Sequence, residues 1–154
     1  MGRRHLIHGA ALAAALVVTA AAPAAASLRR QLVAHGAAGG GVGQDAYVAL
    51  DRSAARSFRA RLDPSGAAAL ARVDFRRSAA VAVFGPYGCQ DARVSVRSIV
   101  QRGRTLAVTL FERALPPGTA ECMAVFETYR LLTIARAALH SPDPTRATVT
   151  LARA

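Results

Sequence analysis

Val73-Asp74-Phe75 leads into the run Ala79-Ala80-Val81-Ala82-Val83-Phe84, which Gly85-Pro86-Tyr87-Gly88-Cys89 then breaks. Six apolar residues in succession leave no polar face, so the run reads as a central strand buried on both sides. Beyond the break, Arg93-Val94-Ser95-Val96-Arg97 alternates, with Val94 and Val96 inward and Arg93, Ser95 and Arg97 outward. Gln101-Arg102-Gly103-Arg104 reads as a turn. Leu106, Val108 and Leu110 then alternate with Thr105, Ala107, Thr109 and Phe111. Two alternating runs joined by a short Gly-containing turn predict a hairpin. Leu115-Pro116-Pro117-Gly118 closes it, and Cys122–Thr128 with Tyr129–Ile134 supplies one or two further strands.

Toward the N-terminus, Ala46–Leu50 is strand-like and Ser27–His35 reads as an edge strand. Between them, residues 36–43 hold five glycines, a composition that favours a loop because glycine loses most entropy on ordering. Gly41-Val42-Gly43-Gln44-Asp45-Ala46 has the outline of a dinucleotide loop. Such a loop must open a helix whose N-terminus holds phosphate, and a strand follows here instead. Asp51 or Ser53 can cap a helix over Ala54–Leu62, with Phe58 and Leu62 on its apolar face and Arg52, Arg56, Arg59 and Arg61 in water. That apolar face is too small to hold a bilayer. Asp63-Pro64 starts another short helix, with Leu70 inward. After Ile134, Ser141-Pro142-Asp143-Pro144 is a rigid turn. Thr145–Leu151 alternates again as a last edge strand, with Val149 and Leu151 on one face.

The first 26 residues stand apart. Arg3, Arg4 and His5 precede an Ala-rich apolar run, and Pro23–Ser27 offers a small-residue cleavage site. This order is that of a secretory signal peptide, with Arg3-Arg4 open to an ordinary or a twin-arginine reading. Cleavage there leaves one domain-sized chain and no stable membrane span, and it lowers the formal charge from +11 to +9. All 20 basic residues are Arg, scattered along the chain and not interleaved with aromatics. That pattern does not make a nucleic-acid stacking platform.

Cys89 and Cys122 are the two cysteines of the chain. In an exported protein, with no neighbouring His or carboxylate cluster for a metal, they read as a disulfide. Closing the loop of about 33 residues between them is worth roughly 3.5–4 kcal/mol on chain-entropy grounds. Near-neutral bases in the mature chain are His35 and His140, one beside the glycine loop and one beside the Ser-Pro turn. Their sequence contexts suit solvated loop histidines, and a hydrolase built on either remains the enzymatic rival. The acids are single, and most stand where carboxylates cap turns. No residue is assigned a catalytic, metal or cofactor role.

Taken together, Val73-Asp74-Phe75, the apolar strand to Gly85, the Gly/Tyr turn, the hairpin, Leu115-Pro116-Pro117-Gly118 and Thr128-Tyr129-Arg130-Leu131 resemble the PrcB-like family. That family is named for a stability subunit of a bacterial cell-surface protease complex. The resemblance spans about Leu32 to Arg136 and implies an exported, non-enzymatic domain that associates with or stabilises another extracellular protein. Two places depart from it. Gly85-Pro86-Tyr87-Gly88-Cys89-Gln90 replaces a Thr-Gly-Gly-Tyr-like turn, and Thr128-Tyr129 replaces a Pro-Tyr.

The resulting expectation is an α+β, mainly β domain: a small antiparallel sheet or sandwich carrying one or two short helices and one disulfide. Its segments are a signal peptide at 1–26, a strand and Gly-rich loop at 27–43, a PrcB-like β-rich core at 44–137, and a turn with an edge strand at 138–154. Its expected place is outside the cell or on the envelope exterior. Its expected partner is an extracellular protein, a protease among them, with no nucleic acid and no small-molecule cofactor. Candidate contact residues are Tyr87, Gln90, Arg93 and Arg97. Tyr87 can either anchor a partner or cover the end of the core. The rival binding mode is a protease inhibitor presenting Gly85–Cys89 or Pro116–Cys122 as a rigid loop.

Overall fold

In chain order come strands β1 (Arg30–Ala37) and β2 (Asp45–Ala49), helices α1 (Arg52–Arg59) and α2 (Pro64–Ala71), then strands β3 (Ser78–Gly85), β4 (Val94–Arg102), β5 (Thr105–Glu112), β6 (Thr128–Ala135) and β7 (Arg146–Arg153). The computed structural model describes residues 26–40, 43–88, 93–119, 124 and 126–153. The fold is mainly β with two short helices.

The strands form two sheets. One has the order β1-β6-β3-β2 and is antiparallel throughout. The other has the order β4-β5-β7, with an antiparallel β4–β5 hairpin and a parallel β5–β7 pair. The expected purely antiparallel arrangement is therefore corrected. The chain leaves β5 for β6 in the opposite sheet and then returns, so β7 arrives alongside β5 in the same direction. A parallel pair needs such a crossover.

Alternation along β3 explains why it carries no polar face. Ala80, Ala82 and Phe84 turn toward the helices, where they meet Phe58, Leu62 and Leu70. Val81 and Val83 turn the other way, toward Ile99, Leu106, Val108 and Leu110 of the second sheet. On β6, Tyr129 and Leu131 join the helix side, and Leu132 and Ile134 join the sheet side. The result is three layers: helices, four-stranded sheet, three-stranded sheet. Alanines at 49, 80 and 82 let the short helices lie close to the sheet. Phe58, fully buried, contributes roughly 1.5–3 kcal/mol by leaving water.

Both helices start where their caps predict. The Asp51 carboxylate accepts from the Ala54 N–H at 2.8 Å, and that of Asp63 accepts from the Gly66 N–H at 2.7 Å with Pro64 in the first turn. Three boundaries shift. β1 continues through Gly36 and Ala37, because both pair with β6 opposite Tyr129 and Thr128. Helix α1 ends at Arg59 rather than Leu62. β4 runs on through Gln101 and Arg102, leaving Gly103-Arg104 as the turn. Gln101 is inward and buried there. Its amide donates to the carbonyls of Gly103, His140 and Pro142, and its oxygen accepts from the His140 N–H. A polar residue near the end of β4 thus pins the loop before β7.

Candidate functional site

The residues expected to meet a partner are spread unequally between core and surface. Tyr87 is only 5% exposed. It folds back over Gly85 and lies under the Arg130 guanidinium, whose carbon is 5.3 Å from the ring centre. It therefore covers the end of the core, the second of its two readings. Arg93 is held at 3.3 Å from Glu112 and donates to the Arg113 carbonyl. Arg97 is exposed and sits 5.6 Å over the Phe111 ring on the outer face of the hairpin. Gln90, Cys89 and Cys122 lie outside the described residues. Of the two loops of the inhibitor reading, Gly85–Cys89 has Gly85, Tyr87 and Gly88 buried, whereas in Pro116–Cys122 the described residues 116–119 are exposed.

His35 lies on β1, exposed, and His140 follows the 3-10 turn Arg136–Ala138 near the end of the other sheet. Among the described residues, no three of His, Cys, Asp and Glu gather as a metal site requires. No helix among them is long and apolar enough to cross a membrane.

A charged cluster absent from the sequence reading stands at the helix end of the first sheet. Arg61 was expected in water. Its side chain is instead 18% exposed and it bonds Glu127, Asp45 at 3.2 Å and the Tyr47 hydroxyl at 3.1 Å. Its guanidinium carbon also lies 4.0 Å over the Phe84 ring. Burial works against the charge, but the bonds to Glu127 and Asp45 outweigh it and hold the guanidinium pKa above its ordinary value. The cluster ties the α1–α2 link to β2, β3 and the entry to β6. Beside it, the Tyr129 hydroxyl donates to Asp63 at 2.8 Å. That side chain lies so close to α2 that a Cβ on Gly66 would come within 2.2 Å of its oxygen. Both clusters hold elements together.

The surface of the helix layer differs. Arg52, Arg56 and Arg59 recur at helical spacing along α1 and are exposed. They rim a hollow of about 480 Å³ whose floor is Ala55 and Leu70 and whose far wall is Phe75. Among the described residues none of the three is ion-paired, whereas Arg61, Arg93, Arg136 and Arg153 each meet a carboxylate. The spacing was visible in the sequence. What was missing was the approach of Leu70 and Phe75, which turns a solvated helix face into a basic rim over an apolar floor.

Comparison of the chain with known protein families, curated proteins and solved structures gives no match.

Proposed function

We propose that this chain is an exported, non-enzymatic interaction module that binds and steadies another extracellular or cell-envelope protein. The observation that carries this reading is the row Arg52, Arg56 and Arg59 above an apolar-floored hollow, with no carboxylate meeting it among the described residues. Guanidinium groups are suited to charged and planar partner groups, and a neighbouring apolar floor lets a partner bury side chains as well. The leader-like first 26 residues support export, and the PrcB-like resemblance supports a protein partner, with a protease complex as the type it implies. Further support comes from Arg61, Glu127, Asp63 and Tyr129, whose polar atoms hold elements to one another.

The test is recovery of the tagged, exported protein from native culture medium after chemical crosslinking. One dominant partner in near-equal amount is expected. A chain that is recovered alone at every crosslinker dose overturns the reading.

A further inference from the structure

We infer that the hollow between α1 and α2 is the docking surface, and that its occupant is an acidic amphipathic segment of the partner polypeptide. The inference rests on the interaction-module reading and names the chemistry of its partner.

Arg52, Arg56 and Arg59 extend over two helical turns, about 10 Å at 1.5 Å per residue. That length exceeds what a single carboxylate or phosphate can neutralise, so the complementary group is a row of negative charges. Three arginines that line one groove and form no ion pair among the described residues keep their field for an incoming chain. The floor then selects among polyanions. Ala55 and Leu70 are buried at the bottom, and Phe75 is partly buried at the side. An anionic polysaccharide or polyphosphate has nothing to place there. A peptide with Asp or Glu flanking an aliphatic or aromatic side chain satisfies rim and floor together. A bilayer is disfavoured by shape, since the apolar part is recessed below the arginines and a flat surface does not reach it.

A photo-crosslinking side chain placed at exposed Ala71, on the hollow's edge, tests this in the exported full-length protein. Three forms are compared: the parent, the triple variant Arg52→Gln/Arg56→Gln/Arg59→Gln, and a charge-matched control, Arg102→Gln/Arg104→Gln/Arg113→Gln, at exposed positions of the far hairpin. Far-ultraviolet circular dichroism confirms that each is folded. The expected result is a crosslink mapping to an acidic amphipathic stretch of the partner. Its yield should fall about tenfold or more in the triple variant and in raised salt, and stay within about twofold in the control. A partner captured equally by parent and triple variant overturns the groove while leaving the interaction module standing. No partner for any form overturns both. Equal loss in the control reduces the effect to net charge and overturns the groove. Arginine-dependent binding of the parent to heparin or to vesicles of anionic phospholipid, with no polypeptide crosslinked at position 71, overturns the choice of occupant.

Discussion

Removing the Arg61 guanidinium strands Glu127, whose side chain is 2% exposed, without its counter-charge. Breaking a buried pair from one side typically costs about 3–5 kcal/mol, whereas replacing both members by apolar groups costs far less. Arg61→Leu is therefore expected to lower the urea-unfolding free energy by about 3 kcal/mol, and Arg61→Leu/Glu127→Leu to regain at least half of it. A double variant that is worse than the single one would show that the pair stabilises in its own right. The neighbouring Asp63–Tyr129 bond gives a pH signature. The Gly66 N–H, chiefly, and the Tyr129 hydroxyl hold the Asp63 carboxyl below its ordinary range, and burial with the Asp63 bond raises the Tyr129 pKa. Asp63 thus contributes stability that is present above about pH 4 and is lost as pH falls through its lowered value. Tyr129 contributes stability that is present below about pH 10 and is lost as pH rises through its raised value. Thermal midpoints should be level between these limits and fall outside them. Tyr129→Phe should cost about 1–2 kcal/mol at neutral pH and remove part of the alkaline fall, while the Gly66 bond preserves most of the acid one. An alkaline limb unchanged in Tyr129→Phe would refute the assignment. Of these residues, Asp63 was legible as a cap. Arg61 was not, because its partners lie 16 and 66 positions away and its helix pattern matched solvent-facing neighbours.

At the scale of elements, β4 is an edge strand whose exposed carbonyls are occupied. Arg130 donates to Val94 at 2.8 Å, Arg30 donates to Val96 and Arg97, and the Leu28 N–H donates to Ile99 at 2.7 Å. Such covering keeps an edge from pairing with another chain. One of these devices had a trace in the sequence, since Arg130 is the one charged residue inside Tyr129–Ile134 and a buried charge in a strand requires a partner. The hairpin, the central strand and both caps were legible because period-2 alternation, an unbroken apolar run and capping are all local signals. The parallel β7 was not, since alternation states which face is buried and nothing about direction or neighbour. The two cysteines carry their own prediction. Gly88 adjoins Cys89, and its N–H donates to the Phe126 carbonyl at 3.1 Å. Its φ is +51°, and a Cβ there would meet the Ala124 carbonyl oxygen at 2.1 Å. Segments next to Cys89 and two residues beyond Cys122 therefore touch, which supports a bond between the two cysteines. Mass spectrometry of alkylated, unreduced protein should find no free thiol, and reduction should lower stability by up to about 3.5–4 kcal/mol. Two thiols modified without reductant would sink the staple. Gly88→Ala, disfavoured at this left-handed φ and blocked at its Cβ, should weaken this junction independently of redox state.

For the molecule as a whole, the four-stranded sheet belongs to two cores. β3 and β6 send alternate side chains to the helices and to the second sheet, so neither core survives the loss of these strands. The two layers nonetheless differ in how they are attached. The helices are held by apolar contact plus the Arg61 and Asp63 bonds, and the second sheet by Val81, Val83, Leu132 and Ile134 against Ile99, Leu106, Val108 and Leu110. Shared strands predict one cooperative transition. Phe58→Ala empties the helix-side core and Ile99→Ala the sheet-side core, at costs of about 3–5 and 2–5 kcal/mol respectively. Each variant should shift the midpoint of the same urea transition, with the far-ultraviolet signal and tyrosine fluorescence moving together and the denaturant slope unchanged. Tyr47 and Tyr129 report on the helix side and Tyr87 on the sheet side, and the chain has no Trp to obscure them. A Phe58→Ala protein that loses its helical signal, with a first fluorescence step from Tyr47 and Tyr129, before Tyr87 responds would show that the helix layer detaches by itself. Because the arginine-rimmed hollow is built from both helices, that outcome also carries a functional consequence. The partner would then meet a groove that forms only while α1 and α2 stay docked, and its binding would tighten as the helix layer is stabilised. Under a single transition, partner affinity should instead be indifferent to core variants that leave the protein folded at the assay temperature.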